Sequence, residues 1–110
     1  MVKANNYTWD YSTYSDILHV HKKGEINRGS AELGDFCIDF NKKEEVVGIE
    51  IEHASEFLSQ LGIAKEQLTK ITDAEFIVDK RNQQAHIIFL ALKFPTTTKK
   101  IAIPMQVLTA

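Results

Sequence analysis

The sequence predicts an α+β fold built mainly on antiparallel β-sheet, and three features of the chain predict it. Large apolar residues alternate with polar ones at period two along most of the chain, as strands with one buried face require. One segment, Ala54 to Leu61, changes to helical spacing. The connections between the alternating runs are short and polar, long enough for hairpins and too short for parallel crossovers. Together they give about seven strands in the order ββββ–α–βββ, with one or two short helices packed on them. The 110 residues are material for a single domain, 1–110, with a core over 7–58 and C-terminal strands over 72–105.

In the first strand Tyr7, Trp9 and Tyr11 alternate with Thr8 and Asp10, and aromatic side chains suit a half-buried pleat. Ser12 to Ser15 supplies turn chemistry. Asp16 to His21 resumes the alternation, with Leu18 and Val20 on one face and Ile17, His19 and His21 on the other. Lys22 to Ser30, with Gly24 and Gly29, reads as a loop. A hairpin follows. Phe36, Ile38 and Phe40, then Val47, Ile49 and Ile51, share an apolar face across the polar link Asn41 to Glu44. Gly48 in mid-strand points to a bulge or a close backbone approach.

Ser55 is the expected N-cap of a helix carrying Ala54, Phe57, Leu58 and Leu61, which Gly62 ends. A helix this short is not stable alone, so it must dock on the sheet. Ala64 to Ile71 suggests a second short helix held by Leu68 and Ile71. Ala74, Phe76 and Val78 open the C-terminal strands, and Lys80 to Gln83 is a polar turn. His86 to Leu92 has no polar face, which predicts cover on both sides of that strand or cover by a partner subunit. Ile101, Ile103 and Met105 form the last strand, and Pro104 places it at an edge. The predicted core is Phe36, Ile38, Phe40, Ile49, Ile51, Phe57, Leu61, Ile88 and Leu90.

Composition excludes several classes. At 44% hydrophobic and 25% charged the chain has enough apolar material to fold, so it is not a disordered sequence. No apolar run reaches the roughly 20 residues of a membrane-spanning helix. The first six residues lack the apolar stretch of a secretory leader. A lone cysteine, Cys37, cannot form an internal disulfide, which suits a cytoplasmic protein. A net charge of −2 gives no electrostatic reason to expect nucleic acid or a membrane as partner. The charge is uneven, however: residues 1–56 carry −5 and residues 57–110 carry +3. That polarity suits self-complementary packing between subunits, or a small basic protein partner for the acidic half.

Trp9-Asp10-Tyr11, Asp16-Ile17-Leu18-His19-Val20, and Val47-Gly48-Ile49-Glu50-Ile51 running into Ala54-Ser55 resemble one family. It is the set of small prokaryotic proteins called domain of unknown function 2283, and the resemblance spans about residues 7–58. The Gly-Ile-Glu-Ile-x-x-Ala-Ser run is its more specific part. His19 is a departure, standing where the family pattern has an aromatic residue. The resemblance implies a bacterial or archaeal cytoplasmic protein and transfers no catalytic residue. Relatives often look like partners of small predicted toxins, so it also implies an antitoxin-like role.

Among chemistry-bearing residues, His19 and His21 form an H-x-H pair on one strand face, two corners of a metal site. His53, Glu50, Glu52, Asp35, Asp39 and Cys37 are the possible third ligands, and spacing does not select among them; Glu50 is carried as the working choice. Asp35, Asp39, Glu50 and Glu52 form an acidic stripe whose ordinary role is solvation of a sheet face. Cys37 has no local signature of a nucleophile and reads as a structural thiol. Lys80, Arg81, Lys93, Lys99 and Lys100 lack the interleaved aromatics, recognition helix or glycine-rich loop of a nucleic-acid surface, and lysines near edges deter aggregation. No catalytic residue set emerges, and no cofactor is called for. The leading expectation is a non-enzymatic domain acting through protein–protein contacts, as a homodimer. The alternative is a metal-binding protein or metal-dependent enzyme using His19, His21 and Glu50.

Overall fold

Alternation becomes sheet wherever the apolar set has something to pack against, and in this computed structural model two sheets supply that cover for each other. The structure describes residues 6–106, so the leader reading of residues 1–6 rests almost wholly outside the described residues. Eight strands form: β1 (Tyr7–Ser12), β2 (Ile17–Lys22), β3 (Gly29–Leu33), β4 (Phe36–Phe40), β5 (Val46–Ile51), β6 (Asp73–Lys80), β7 (Ala85–Lys93) and β8 (Thr98–Gln106). Between β5 and β6 lie a short helix α1 (Ala54–Ser59) and a 3₁₀ turn at Lys65–Lys70. All strand pairings are antiparallel. The first sheet has the order β1-β2-β5-β4-β3 and the second the order β6-β7-β8.

The fold is therefore richer in strand than the sequence predicts: eight strands in two sheets stand in place of about seven. The added strand is β3, where Gly29 and Ser30 suggest a loop. It is short, polar and almost wholly exposed, and pairing with β4 is enough to hold it as an edge.

Leu18, Val20, Ile38, Ile49 and Ile51 of the first sheet and Phe76, Ile88, Leu90, Leu92, Ile101 and Ile103 of the second join one apolar cluster. Ala54, Leu58, Ile63 and Leu68 close it from the helical segment. Tyr7 ties the sheets together, donating a 2.8 Å hydrogen bond from its hydroxyl to the Phe76 carbonyl and meeting the Phe76 ring edge-on at 5.2 Å.

Three local expectations change. Leu61 is 41% exposed and not part of the core, because the helix ends at Ser59 and the chain turns through Gly62 at φ +81°. Phe57 is half-buried instead, edge-on to Phe36 at 5.2 Å. A register shift opposite Asp39 and Phe40 makes a bulge in β5, so Val46 joins the core cluster while Val47, also buried, lies outside it.

The helix start is the third. His53 holds the N-cap position in a left-handed conformation, and its side chain makes no capping hydrogen bond to the helix. Ser55 instead donates to Asp16 from both its backbone N–H (3.0 Å) and its hydroxyl (2.7 Å). The Ala54 N–H adds a bond to the Asp16 carbonyl, and the Tyr11 hydroxyl donates to Asp16 at 2.6 Å. A single aspartate in the β1–β2 turn thus caps a helix that lies far along the chain. Burial by itself would raise its pKa, but the Tyr11 and Ser55 bonds, with the charge of Lys65, hold the carboxyl below the usual range. The same contact and burial push the Tyr11 hydroxyl up to about 12, with burial the larger cause.

Two predictions follow from this packing. Ile49→Ala, at a site with no exposure, should cost about 2–5 kcal/mol in chemical denaturation, whereas Leu61→Ala should stay within about 0.5 kcal/mol of the parent. The depressed Asp16 pKa means that its stabilising contribution is present above the unfolded aspartate value of about 3.9 and is lost as pH falls through the folded value. The stability gap between the parent and Asp16→Asn should therefore be open at neutral pH and close in the acid limb, read from denaturation midpoints across a pH series.

Candidate functional site

Alternation along β2 sends Leu18 and Val20 into the core and leaves His19 and His21 on the outer face of the first sheet. Register decides what stands beside them. His19 is opposite Asp10 on β1 and Glu50 on β5, and Glu50 is opposite Cys37 on β4. One row further along, His21 is opposite Thr8 and Gly48, Gly48 is opposite Asp39, and Asp39 is opposite Ser30 on β3.

Gly48 thus lies between His21 and Asp39, two strands apart. Its missing side chain is what lets them meet: a Cβ built there would lie 2.7 Å from Asp39 Oδ2 and 2.9 Å from His21 Nδ1. The sequence-level reading of Gly48 holds with a different neighbour, since side chains and not backbone make the close approach, and the β5 bulge begins beside it.

In that gap His19 Nε2 stands 3.5 Å from Asp39 Oδ2. The His19 and His21 rings are tilted at 48° with centroids 5.7 Å apart. One nitrogen from each histidine and one oxygen of Asp39 all lie within 4.8 Å of one another. The partners of the remaining atoms fix the arrangement. His21 Nε2 is 3.0 Å from the Glu25 carbonyl, which can only accept, so Nε2 carries a proton and the neutral ring would present its Nδ1 lone pair to the gap. Ser30 donates to Asp39 Oδ1 at 2.7 Å, leaving Oδ2 to face the histidines. Neither His19 Nε2 nor His21 Nδ1 has a hydrogen-bond partner, although both atoms are buried. At 3.5 Å the His19–Asp39 contact is too long for an ordinary hydrogen bond.

Asp39 is also the buried charged residue among those described, 6% exposed. A carboxylate out of water is costly unless a positive charge or several donors answer it. Here the Ser30 hydroxyl at 2.7 Å and the Cys37 thiol at 4.0 Å reach Oδ1, and Oδ2 faces His19 Nε2 at 3.5 Å.

Of the possible third ligands, the gap brings in Asp39. The Glu50 carboxylate is not among the converging atoms and stands one row along the same face. Asp35, Glu52 and His53 form a separate group, all exposed, with His53 Nδ1 3.4 Å from Asp35 Oδ1. Cys37 shares the outer face with Glu50; burial, then the charge of Asp39, pushes its thiol pKa up and keeps it protonated. That agrees with an inert thiol.

Residues 9–55 match the family model described as a protein of unknown function (DUF2283). A stretch of 50 residues is 40% identical to "uncharacterized protein MJ0789" of Methanocaldococcus jannaschii, covering 46% of this chain and 43% of that protein. The chain thus spans less than half the length of that relative. No solved structure matches the chain significantly. His19, His21, Asp39 and Gly48 all fall inside the matched segment, and the second sheet falls outside it.

Gly48→Ala tests whether the gap is spatial in origin. The added methyl meets the two polar atoms directly, so the substitution should destabilise the fold by about 1–3 kcal/mol, the usual cost of overpacking. In imidazole NMR spectra, the His19 and His21 resonances should move while that of His86, on the second sheet, stays in place.

Proposed function

We propose that the DUF2283-type segment of this chain is a metal-binding sheet, in which His19 Nε2, His21 Nδ1 and Asp39 Oδ2 hold one divalent transition-metal ion. The observation that carries this reading is the pair of buried imidazole nitrogens that lack a hydrogen-bond partner and converge on a buried carboxylate. Ligands about 2.0–2.1 Å from a tetrahedral metal stand about 3.3–3.4 Å apart. The 3.5 Å separation of His19 and Asp39 is close to that edge, and the other two ligand pairs lie within 4.8 Å.

Supporting groups of the kind metal sites use are present. The Glu25 carbonyl fixes the His21 tautomer and the Ser30 hydroxyl orients Asp39. Two imidazoles and one carboxylate favour zinc or a neighbouring first-row ion over magnesium or calcium, which prefer all-oxygen shells. Three protein ligands leave at least one coordination position for water or another donor. Glu50 is beside the site and positioned to influence what enters it, without being one of its ligands.

A second reading, a domain acting through protein–protein contacts, is favoured by apolar side chains exposed on the other sheet, Ile77 at 66% and Phe89 at 36%. The two readings use opposite outer faces of the molecule and are compatible.

Zinc titration monitored by calorimetry and by competition with a chromogenic chelator tests the metal reading. The parent chain should take up one ion and be stabilised by about 2.7 kcal/mol when free zinc reaches a hundred times its Kd. His19→Ala, His21→Ala and Asp39→Asn should each weaken binding at least about tenfold, whereas Glu50→Gln should retain it. Gly48→Ala, which removes no ligand, should also lose it. Stoichiometric binding that survives loss of both histidines, or no binding by the parent at micromolar zinc, overturns the assignment.

A further inference from the structure

The strand His86 to Leu92 has no polar face in sequence, and only one of its faces is covered within the described residues. Ile88, Leu90 and Leu92 enter the core, while Ile87, Phe89 and Ala91 point outward. Register extends that outer face into rows across the sheet. Asp79, Ile87 and Pro104 make one row; Ile77, Phe89 and Ala102 the next; Glu75, Ala91 and Lys100 the third. The centre is apolar, and Ile77 at 66% exposure is too large and too open for an ordinary isolated surface residue beside Phe89.

Charge on this face is arranged by edge. Asp73 is answered by Lys93 at 3.9 Å and Asp79 by Arg81 at 3.3 Å. Glu75 on β6 and Lys100 on β8 have no ion-pair partner among the described residues. They stand in the same row on opposite edge strands, separated by the small Ala91, and together with Ile77 and Phe89 they border a shallow groove.

We propose that this face docks a second copy of the chain about a two-fold axis parallel to β7. A half-turn about such an axis, lying between two sheets packed face to face, lays β6 of one copy over β8 of the other and keeps every row in register. Glu75 then faces Lys100 of the partner subunit, and the reverse. Ile77 covers Ala102 of the partner subunit, and Phe89 meets its own copy on the axis. Packed sheets stand about 10 Å apart, a gap that extended glutamate and lysine side chains bridge from both sides. The alternative in-plane axis, perpendicular to the strands, would set β6 on β6 and Glu75 against an acidic edge. Charge therefore selects the axis as well as the partner. The interface is isologous and closed, so association stops at the dimer. Nothing in this inference depends on the metal site, which lies on the other sheet.

Sedimentation equilibrium across a dilution series, on the full chain, tests it with four variants at solvent-facing positions. The parent should dimerise and Ile77→Lys should be monomeric with an unchanged far-ultraviolet spectrum. Glu75→Lys and Lys100→Glu should each weaken the dimer about tenfold or more, because each sets like charges opposite one another twice. The double exchange, Glu75→Lys with Lys100→Glu, should return affinity to within about threefold of the parent, since it restores opposite charges in the same row. A parent chain that is monomeric at every concentration overturns the proposal. So does a dimer indifferent to Ile77→Lys, which would sit on another surface. A double exchange no tighter than the single ones overturns the two-fold register. Should a single charge reversal lower the melting temperature, Glu75→Gln replaces it, and the dimer must then lose part of its salt dependence.

Discussion

Strand β5 is hydrogen-bonded on both sides, to β2 and to β4, and that placement constrains the rest of the first sheet. Its inward residues Ile49 and Ile51 are wholly buried and meet the second sheet's Phe76, Ile88 and Leu90 in a common cluster. Its outward residues separate two strands that carry the histidines and the buried aspartate. A side chain at position 48 would keep those strands' polar groups apart; glycine allows them to converge. One position thus serves the outer-face chemistry while its neighbours serve the core, and the β5 bulge is where the strand adjusts between the two demands.

The consequence is a buried polar arrangement that is only partly answered within the protein. Ser30 and Glu25 settle one atom each of Asp39 and His21, and they do so in a way that directs the remaining atoms to a common point. Contrast Asp16, whose carboxylate receives three hydrogen bonds and whose role is complete as a structural cap. The difference in how far the two aspartates' oxygens are satisfied separates a structural group from a candidate ligand.

The outer faces of the two sheets are chemically unlike. The first is polar across its width, with histidine, carboxylate and hydroxyl groups in its rows. The second is apolar along its centre, with acidic residues on β6 and Lys100 on β8. Such a division keeps the proposed metal site and the proposed docking face on different sheets. Lys99 and Pro104 on β8 also fit an edge strand that avoids uncontrolled pairing, since proline removes a ladder donor and lysine resists desolvation.

Local pattern determined much of this protein. Period-two alternation identifies six of the strands and a continuous apolar run the seventh, because burial acts on each strand separately, and Pro104 marks its strand as an edge by its own chemistry. The pairing of His19 with His21 is equally local, since residues two apart on a strand share a face. The family likeness over the N-terminal half is a property of the residues too. Tertiary structure decided the rest. β3 is a strand only because β4 offers it an edge, and its own composition argues for a loop. Asp16 caps a helix 39 residues away through Ser55, a contact no local signal encodes. Asp39 approaches the histidines from two strands away because β5 lies between β2 and β4 and carries glycine in the row that His21 and Asp39 share. Strand order is set by which apolar faces pack together across the whole core, and a side-chain cluster spanning three strands becomes legible only once that order exists.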